Sequence, residues 1–337
     1  MSPMLPFTPT PKTVAVSSAR VSLLLLLGWY LACTFLAPGR GSIVRDVSFP
    51  AGSGIKKLAT ELKQDGVIRS AWHFILLARL RGQAHRLKAG DYRFTDAMTP
   101  GDILRKLVAG DVDYRRFTLP EGYSVYQAAE MLEQKGYFKR DEFLSACRDT
   151  ATLERLGIHA ASVEGYLFPA TYNLARNGTE EQLVAQMVGR FRQVYADVTV
   201  GGQEQGGLSS NEIVTLASII EKEAVCAEEK PLISSVFYNR LRLGMPLQSD
   251  PTAVYGVRAF SGKVTKADIC RRSPYNTYLV RGLPLGPIGN PGADALRAAL
   301  HPVRSNYLYF VARQDGTHYF SRTLEEHNRA VAHYLRN

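Results

Sequence analysis

Apolar residues recur at helical spacing across positions 213–224, in the second half of the chain. This spacing predicts an amphipathic helix. Ser209 followed by Glu212 fits the S-x-x-E capping box, which places the helix start directly after Ser209. At about 100° of rotation per residue, Glu221 and Glu223 fall on opposite flanks of the apolar arc. The periodicity therefore predicts two half-buried carboxyls and does not choose between them.

Three polar residues of the same helix, Thr215, Ser218 and Lys222, are predicted to face away from the apolar arc. The end of the helix has two interpretations. Glu221 and Lys222 are ordinary surface residues if the helix simply ends in solvent. One of the acids is catalytic if the helix end borders a cleft, since burial and charged neighbours tune carboxyls at active sites.

A polar block, residues 236–256 (VFYNRLRLGMPLQSDPTAVYG), follows this helix. A half-buried carboxyl beside such a block is typical of a site that cleaves glycosidic bonds. Burial keeps the acid protonated near neutral pH, and the polar neighbours hydrogen-bond sugar hydroxyls and amides. The residues alone therefore favour a carbohydrate-active protein.

An internal repeat with an offset of 70 residues occupies the first half of the chain. Phe49–Ile68 aligns without gaps to Leu119–Phe138, and each copy predicts a strand end, a Pro-Gly turn and an amphipathic helix closed by glycine. Segments of this kind look like LysM-type glycan-binding modules. We therefore expect a LysM-like βααβ-type subdomain at residues 42–138.

The remaining pattern predicts a mixed α+β fold. Residues 89–95 read as a strand and 98–111 as a short helix, while residues 139–160 form a predicted helical linker. A β-hairpin is predicted at 306–320 around Gln-Asp-Gly, and a C-terminal helix at 325–335.

An uncharged apolar run covers residues 21–37, VSLLLLLGWYLACTFLA. It is just long enough to span a bilayer. A cleaved signal peptide also has a basic start and an apolar middle, but this run is longer than a usual signal core and no A-x-A site follows it. We therefore predict a transmembrane anchor at residues 21–37 behind a cytoplasmic tail at residues 1–20.

The formal net charge of +10 suggests anionic partners. Basic residues are spread along the chain and no nucleic-acid-binding motif is present, so nucleic acid is not an expected partner. The histidines lack the spacing of a metal hydrolase, and no phosphate-binding glycine motif occurs. Cys226 and Cys270 can be read as a disulfide or as free thiols.

Five sequence blocks, present in order, resemble the YceG-like family, the endolytic murein transglycosylases of bacterial inner membranes. The blocks are EGYLFPATY (164–172), LASIIEKEA (216–224), VFYNRLRLGMPLQSDPTAVYG (236–256), SPYNTYLVRGLPLGPIGNPG (273–292) and ALHPVRSNYLYFVARQDGTHYFSRTLEEHN (299–328). The resemblance implies a transglycosylase catalytic domain at residues 161–337. It maps the family's catalytic glutamate onto Glu221, the first acid of EKE.

The resemblance also implies the substrate and the setting. The substrate is the glycan strand of peptidoglycan, cut between MurNAc and GlcNAc to leave 1,6-anhydro-MurNAc ends, which would terminate nascent strands. The chain is expected to cross the inner membrane once, with its N-terminus cytoplasmic and its catalytic domain periplasmic. No cofactor and no metal is expected. Peptidoglycan synthases are expected as protein partners by family analogy alone.

Residues around the helix end complete the predicted site. Those expected to bind substrate are Gln248, Asp250, Thr252, Tyr275, Asn276 and Tyr278. Those expected to support the site are Glu223, Glu164, Asn239 and Arg240. Alternatively, Asp250 is a helix N-cap or turn former, which is the most common role of an aspartate.

Two rival functions stay open. A hydrolytic muramidase needs a second carboxylate to activate water, and Glu223 or Asp250 would supply it. A non-catalytic peptidoglycan-binding scaffold would need neither acid.

Overall fold

The structure is a computed structural model that describes residues 24–25, 28–32, 34–50, 52–175, 178–200, 207–260 and 263–335. The predicted tail at residues 1–20 and several positions of the predicted anchor at 21–37 lie outside these ranges. Within them, no helix combines the length and the apolar character needed to cross a membrane.

Helices and short two-stranded sheets build the described part of the chain, as the α+β prediction requires. The strands are β1 (Val44–Phe49), β2 (Gly90–Thr95), β3 (Arg115–Thr118), β4 (Thr171–Leu174), β5 (Tyr309–Ala312) and β6 (His318–Ser321). The helices are α1 (Ile55–Gln64), α2 (Ala71–Leu80), α3 (Pro100–Ala109), α4 (Val125–Gln134), α5 (Arg140–Ala146), α6 (Thr150–Arg155), α7 (Glu180–Thr199), α8 (Ser210–Glu223), α9 (Lys230–Arg242), α10 (Asp250–Val254), α11 (Lys266–Cys270), α12 (Ala293–Leu300) and α13 (Leu324–Leu335).

The chain divides into two compact units. The first is Met1–Arg115 with Leu174–Asn177, and the second is Arg116–Asn173 with Gly178–Asn337. In the first unit β1 and β2 pair antiparallel, with Val47 opposite Tyr92. The helices α1 and α2 lie between these strands in sequence and bury their apolar faces against them, which produces a β-α-α-β order.

The two copies of the 70-residue repeat adopt the same local structure but belong to different units. Their helices, α1 and α4, begin and end at equivalent positions. The turn before each helix places a glycine at positive φ, Gly52 at 82° and Gly122 at 73°, a conformation that residues with a Cβ rarely adopt. The common sequence pattern therefore encodes a common turn and helix.

Helix α8 is the centre of the second unit. It begins after Ser209, whose side chain accepts from the backbone N–H of Glu212 while the Glu212 carboxylate accepts from the N–H of Ser209, so the predicted capping box is confirmed. Helices α9, α10 and α12 all pack against α8. The apolar core of the unit surrounds its middle turns.

The predicted exposure of Thr215 and Ser218 is wrong, because both side chains are buried. The Thr215 hydroxyl donates to the carbonyl of Asn211, and the Ser218 hydroxyl donates to the carbonyl of Thr215 and accepts from the N–H of Ile288. Periodicity assumes one buried face, whereas α8 is covered on several sides. Small hydroxyls that bond to the backbone can be buried at little cost.

The hairpin and the C-terminal helix agree with prediction. Strands β5 and β6 pair antiparallel with Tyr309 opposite Ser321, and α13 follows them. The segment 282–292 has no regular structure over most of its length. In the described part of the chain, Cys147, Cys226 and Cys270 are free thiols.

Candidate active site

The last turn of α8 sends three consecutive side chains in three directions. Glu221 contacts the start of α9 and of α12, Lys222 lines one cavity, and Glu223 lines another. Residues one or two positions apart on a helix diverge by roughly 100–200°, so this separation follows from helix geometry. The two acids of EKE therefore have different surroundings.

Glu221 forms a buried ion pair. The Lys230 ammonium donates to both carboxylate oxygens, at 3.0 and 3.2 Å, and the N–H of Gly292 donates to Oε2 at 3.0 Å. The side chains of Glu221 and Lys230 are only 7% and 6% exposed. Two donor groups, the Lys230 ammonium and the Gly292 N–H, therefore occupy the two oxygens of this carboxylate.

This arrangement argues against Glu221 as the proton donor. A general acid must hold a proton and present it to the substrate. Glu221 instead offers both oxygens to a cation and to a backbone N–H, in a position closed to solvent. Its partners come from residues 9 and 71 positions away in sequence. No helical periodicity could have identified them.

Glu223 lines a cavity of about 480 Å³. Burial of the carboxyl raises the pKa of Glu223 to about 7, and the nearby charge of Asp250 acts in the same direction. A hydrogen bond from the Ser249 hydroxyl, at 2.5 Å, and the positive charge of Arg240 oppose this shift. Glu223 can therefore hold a proton near neutral pH.

Three of the predicted substrate-binding residues share this cavity with Glu223: Gln248, Asp250 and Tyr278. The Tyr278 hydroxyl donates to Asp250 Oδ1. Gln248 is exposed and has a φ of 51°, an uncommon conformation for a residue with a Cβ, which strained functional loops often contain. The cavity thus combines one protonatable acid, one further carboxylate and neutral polar groups.

Asp250 is not the N-cap of α10. Ser249 holds the N-cap position without a side-chain capping bond, and Asp250 is the first helical residue. Its carboxylate faces Tyr278 and the cavity. Asp250 therefore lines the Glu223 cavity and does not cap α10 with its side chain.

Thr252 and Asn276 do not reach the cavity. Thr252 is buried and its hydroxyl donates to the carbonyl of Ser249 and bonds to the hydroxyl of Thr277. The Asn276 amide is fully buried and donates to three backbone carbonyls, those of Asp268, Ile269 and Arg271. Both side chains are occupied in ordering their loops, so their burial does not support substrate contact.

Tyr275 also lies apart from the Glu223 cavity. Its ring packs on that of Tyr255, with centroids 4.6 Å apart. The hydroxyl of Tyr255 in turn donates to Glu164.

Glu164 is a buried hydrogen-bond centre. It accepts from the N–H of Val125, the side-chain amide of Asn290 and the hydroxyl of Tyr255. Burial raises the pKa of Glu164 to about 7, and the hydrogen bonds from Tyr255 and Val125 act in the opposite direction. This carboxyl joins three segments of the second unit.

Asn239 and Arg240, on α9, donate to the segment that leads into the hairpin. The Asn239 amide donates to the carbonyls of Ser305 and Tyr307. The Arg240 guanidinium donates to the carbonyls of Leu308 and Leu247, at 2.7 and 2.8 Å. Arg240 therefore connects the hairpin to the loop before Ser249, and both segments line the cavity.

Sequence reasoning missed Ser249 and Lys230, the residues that give the two acids their different surroundings. Ser249 stood in the polar block but had no signal apart from its neighbours. Lys230 sits among ordinary surface-type residues, and only the fold reveals that it is buried. His318 was also not predicted from the sequence. It lines the cavity, and its Nδ1 is hydrogen-bonded to Glu229 at 2.8 Å.

Comparisons with known proteins agree with the fold and the sequence blocks. The sequence model of the YceG-like family matches residues 47–333. An endolytic murein transglycosylase of Bacillus subtilis (strain 168) is 32% identical over 305 residues, covering 86% of this chain and 84% of that protein. An endolytic murein transglycosylase of Streptococcus pneumoniae serotype 2 (strain D39) is 31% identical over 325 residues, covering 86% of this chain and 58% of that longer protein.

A solved structure is also similar. The crystal structure of a YceG-like protein from Listeria monocytogenes superposes with a TM-score of 0.57 at 35% sequence identity, covering 85% of this chain and 99% of that one. The prediction that the chain is related to endolytic murein transglycosylases is thus confirmed over most of its length. The chain belongs to the YceG-like family.

Proposed function

We propose that this protein is a lytic transglycosylase that cleaves the glycan strands of murein, with Glu223 as its acid. The observation behind the proposal is a protonatable carboxyl in the wall of a polar cavity, in a chain that is 32% identical to an endolytic murein transglycosylase. Gln248, Asp250 and Tyr278 supply the neighbouring hydrogen-bonding groups. The cut falls between MurNAc and GlcNAc.

The reaction requires one carboxyl that acts twice. Glu223 first donates its proton to the glycosidic oxygen, so that the GlcNAc leaving group departs with a hydroxyl. The resulting carboxylate then removes the proton of the MurNAc C6 hydroxyl, whose oxygen attacks the anomeric carbon of the same sugar. The product ends in 1,6-anhydro-MurNAc, no water is consumed, and Glu223 is protonated again.

The choice of Glu223 reverses the assignment that sequence resemblance suggested. A group that donates and then accepts a proton works best with a pKa near the operating pH, and burial places that of Glu223 at about 7. Glu221, with Lys230 and Gly292 on its oxygens, would hold the end of α8 against α9 and α12. It is the structural acid of the pair in this proposal.

A hydrolytic muramidase remains the rival, because Glu223 and Asp250 place two carboxyls in one cavity. The mass of the products separates the two reactions, since an anhydro end lacks the mass of one water. We expect mass spectrometry of purified strands digested by the protein to give anhydro ends only. Reducing ends would favour the muramidase, and intact strands would favour a non-catalytic scaffold.

The location is also proposed. The apolar run at residues 21–37 would cross the inner membrane once, with the N-terminus cytoplasmic and the catalytic unit periplasmic. Release of nascent strands at the membrane would follow from this position. Cell fractionation of the full chain and of a chain lacking residues 1–37 tests this anchor. Finding both chains in the soluble fraction would contradict a membrane location.

The β-α-α-β unit is proposed as a LysM-like module that binds glycan. Its support is the strand and helix order of β1, α1, α2 and β2 together with the repeat pattern. Peptidoglycan synthases are proposed as partners by analogy alone.

A further inference from the structure

A second cavity, separate from that of Glu223, lies in the same unit and is lined by Lys222. Its volume is about 250 Å³. Helix α10 contributes to both cavities, with Asp250 lining the first and Pro251 and Val254 lining the second. The mechanism proposed for Glu223 uses none of the polar groups of this second cavity.

The path of the Lys222 side chain depends on two glycines. Its stem passes Gly122, which has a φ of 73°, and Gly289. A Cβ added at Gly289 would lie 3.4 Å from Lys222 Cε and 2.6 Å from the carbonyl oxygen of Gly122. Any larger residue at position 289 would therefore collide with the backbone beside the lysine. The channel for this side chain is built into the loops.

The Lys222 ammonium forms no hydrogen bond or ion pair with another described residue. The nearby carboxylates are engaged elsewhere, Glu221 with Lys230 and Glu164 with Val125, Asn290 and Tyr255. Burial lowers the pKa of Lys222, while the charges of Glu164 and Glu221 act in the opposite direction. A partly buried ammonium without a close partner is costly unless an anion enters the cavity.

The walls of the cavity suit a sugar that bears such an anion. The rings of Tyr126 and Tyr255, which both line the cavity, lie 5.9 Å apart and are inclined at 60°. Gln127 adds an amide whose oxygen accepts from the N–H of Ser124, which leaves its –NH₂ group as a donor. Apolar and aromatic lining with a few convergent polar groups is typical of small-molecule sites.

We propose that this second cavity binds a carboxylate carried by an N-acetylated amino sugar of the substrate strand, with Lys222 as its ion-pair partner. The proposal rests on the function proposed above. Two sources share this chemistry: the lactyl group of MurNAc in strands without peptide, and the carboxylates of the peptide stem. The cavity would thus recognise the acidic substituent of a strand while Glu223 cleaves its backbone.

The test compares the variants Lys222→Met and Gln127→Glu with wild type. The first removes the ammonium and keeps the apolar stem. Gln127→Glu keeps the capping box of α4, because Gln and Glu are equivalent at the third position of a helix. It replaces the –NH₂ donor with a negative charge. Lys135→Met, an exposed lysine at the end of α4, is the matched control.

Cleavage is measured on strands with free stem carboxylates, strands with amidated stems, and strands without peptide. We expect both variants to raise KM about tenfold, with kcat unchanged, on strands that carry the recognised carboxylate. No change is expected on strands whose carboxylates are blocked, or for Lys135→Met. If KM rises only on peptide-free strands, the recognised carboxylate is that of the lactyl group. If KM rises only on strands with free stem carboxylates, it belongs to the peptide stem. Equal losses on free and amidated strands, or no loss on any, would overturn the proposal.

Binding is measured separately by calorimetry with N-acetylmuramic acid, N-acetylmuramoyl-L-alanyl-D-glutamate and N-acetylglucosamine. We expect one of the two acidic sugars to bind more tightly than N-acetylglucosamine, and Lys222→Met to remove that difference. If the protein cleaves strands but binds the acidic sugars no more tightly than the neutral one, only the proposal for the Lys222 cavity is overturned. Binding that depends on Lys222, in a protein that cleaves nothing, overturns only the proposed catalytic function.

Discussion

Lys230 donates to both carboxylate oxygens of Glu221, at 3.0 and 3.2 Å, and solvent reaches almost none of either side chain. This ion pair holds the end of α8 against α9. The second acid of the EKE sequence, Glu223, lines a cavity instead. Its carboxyl can keep a proton near neutral pH.

Replacing each acid by glutamine should have opposite effects on stability and turnover. Glu223→Gln should reduce turnover by at least about 10²-fold with little change in the free energy of unfolding, because an amide can still accept from Ser249 but cannot donate an acidic proton. Glu221→Gln should retain turnover per folded molecule but lower stability by about 3–5 kcal/mol, because Lys230 loses its charge partner.

Denaturant unfolding and strand-cleavage assays on the two variants check this pair of outcomes, with the exposed Glu228→Gln as control. A well-folded Glu221→Gln that is inactive, beside an active Glu223→Gln, would return the catalytic role to Glu221.

The ion pair should also show strong energetic coupling. Lys230→Met alone should cost about 3–5 kcal/mol, because the buried Glu221 carboxylate is left unpaired. The double variant Glu221→Gln/Lys230→Met should lose less than the sum of the single changes, since neither charge then remains buried. A double-mutant cycle of unfolding free energies measures the coupling, and simple additivity would mean that the two groups do not interact.

The rate of cleavage should fall as pH rises through about 7, because the raised pKa of Glu223 sets the pH at which the acid loses its proton. Ser249→Ala removes a hydrogen bond that favours the carboxylate, so the fall should move to higher pH. Asp250→Asn removes a negative charge that disfavours the carboxylate, so the fall should move to lower pH. Profiles of kcat/KM against pH measure these shifts, and shifts in the same direction would exclude Glu223 as the titrating group.

Glu164→Gln should lower the free energy of unfolding by about 1–3 kcal/mol. Both oxygens of the carboxyl accept hydrogen bonds, from Val125, Asn290 and Tyr255, whereas an amide has one acceptor oxygen and an –NH₂ group that accepts none. The folded-state pKa of about 7 lies above the ordinary value for glutamate. Its contribution to stability is therefore present at low pH and is lost as pH rises through about 7.

Unfolding measured from pH 4 to pH 8 should accordingly show a shallower pH dependence in Glu164→Gln than in wild type. The exposed Glu154→Gln is the matched control and should change neither stability nor its pH dependence. If the free energy of unfolding depends on pH identically in Glu164→Gln and wild type, Glu164 does not cause the pH dependence.

Local sequence patterns determined much of this protein. The capping box at Ser209 and Glu212, the hairpin that ends at Ser321 and the paired repeat helices α1 and α4 all form where turn and helix signals predict them. These elements depend on neighbours within a few residues in the chain, and such contacts are visible in sequence. The family, too, was recognisable from short sequence blocks that occur in the family's order along the chain.

The tertiary structure alone separated the two acids of α8. Helical periodicity places Glu221 and Glu223 on equivalent flanks of one apolar arc, so it gives both the same expected burial. Their difference arises from Lys230 and Gly292 on one side and from Ser249 and the Asp250 carboxylate on the other. The sequence likewise gave no sign that the Asn276 amide is buried and donates to three backbone carbonyls. A side chain's protonation and availability depend on the groups that the fold brings within a few ångströms, and those groups lie up to 71 residues away in sequence.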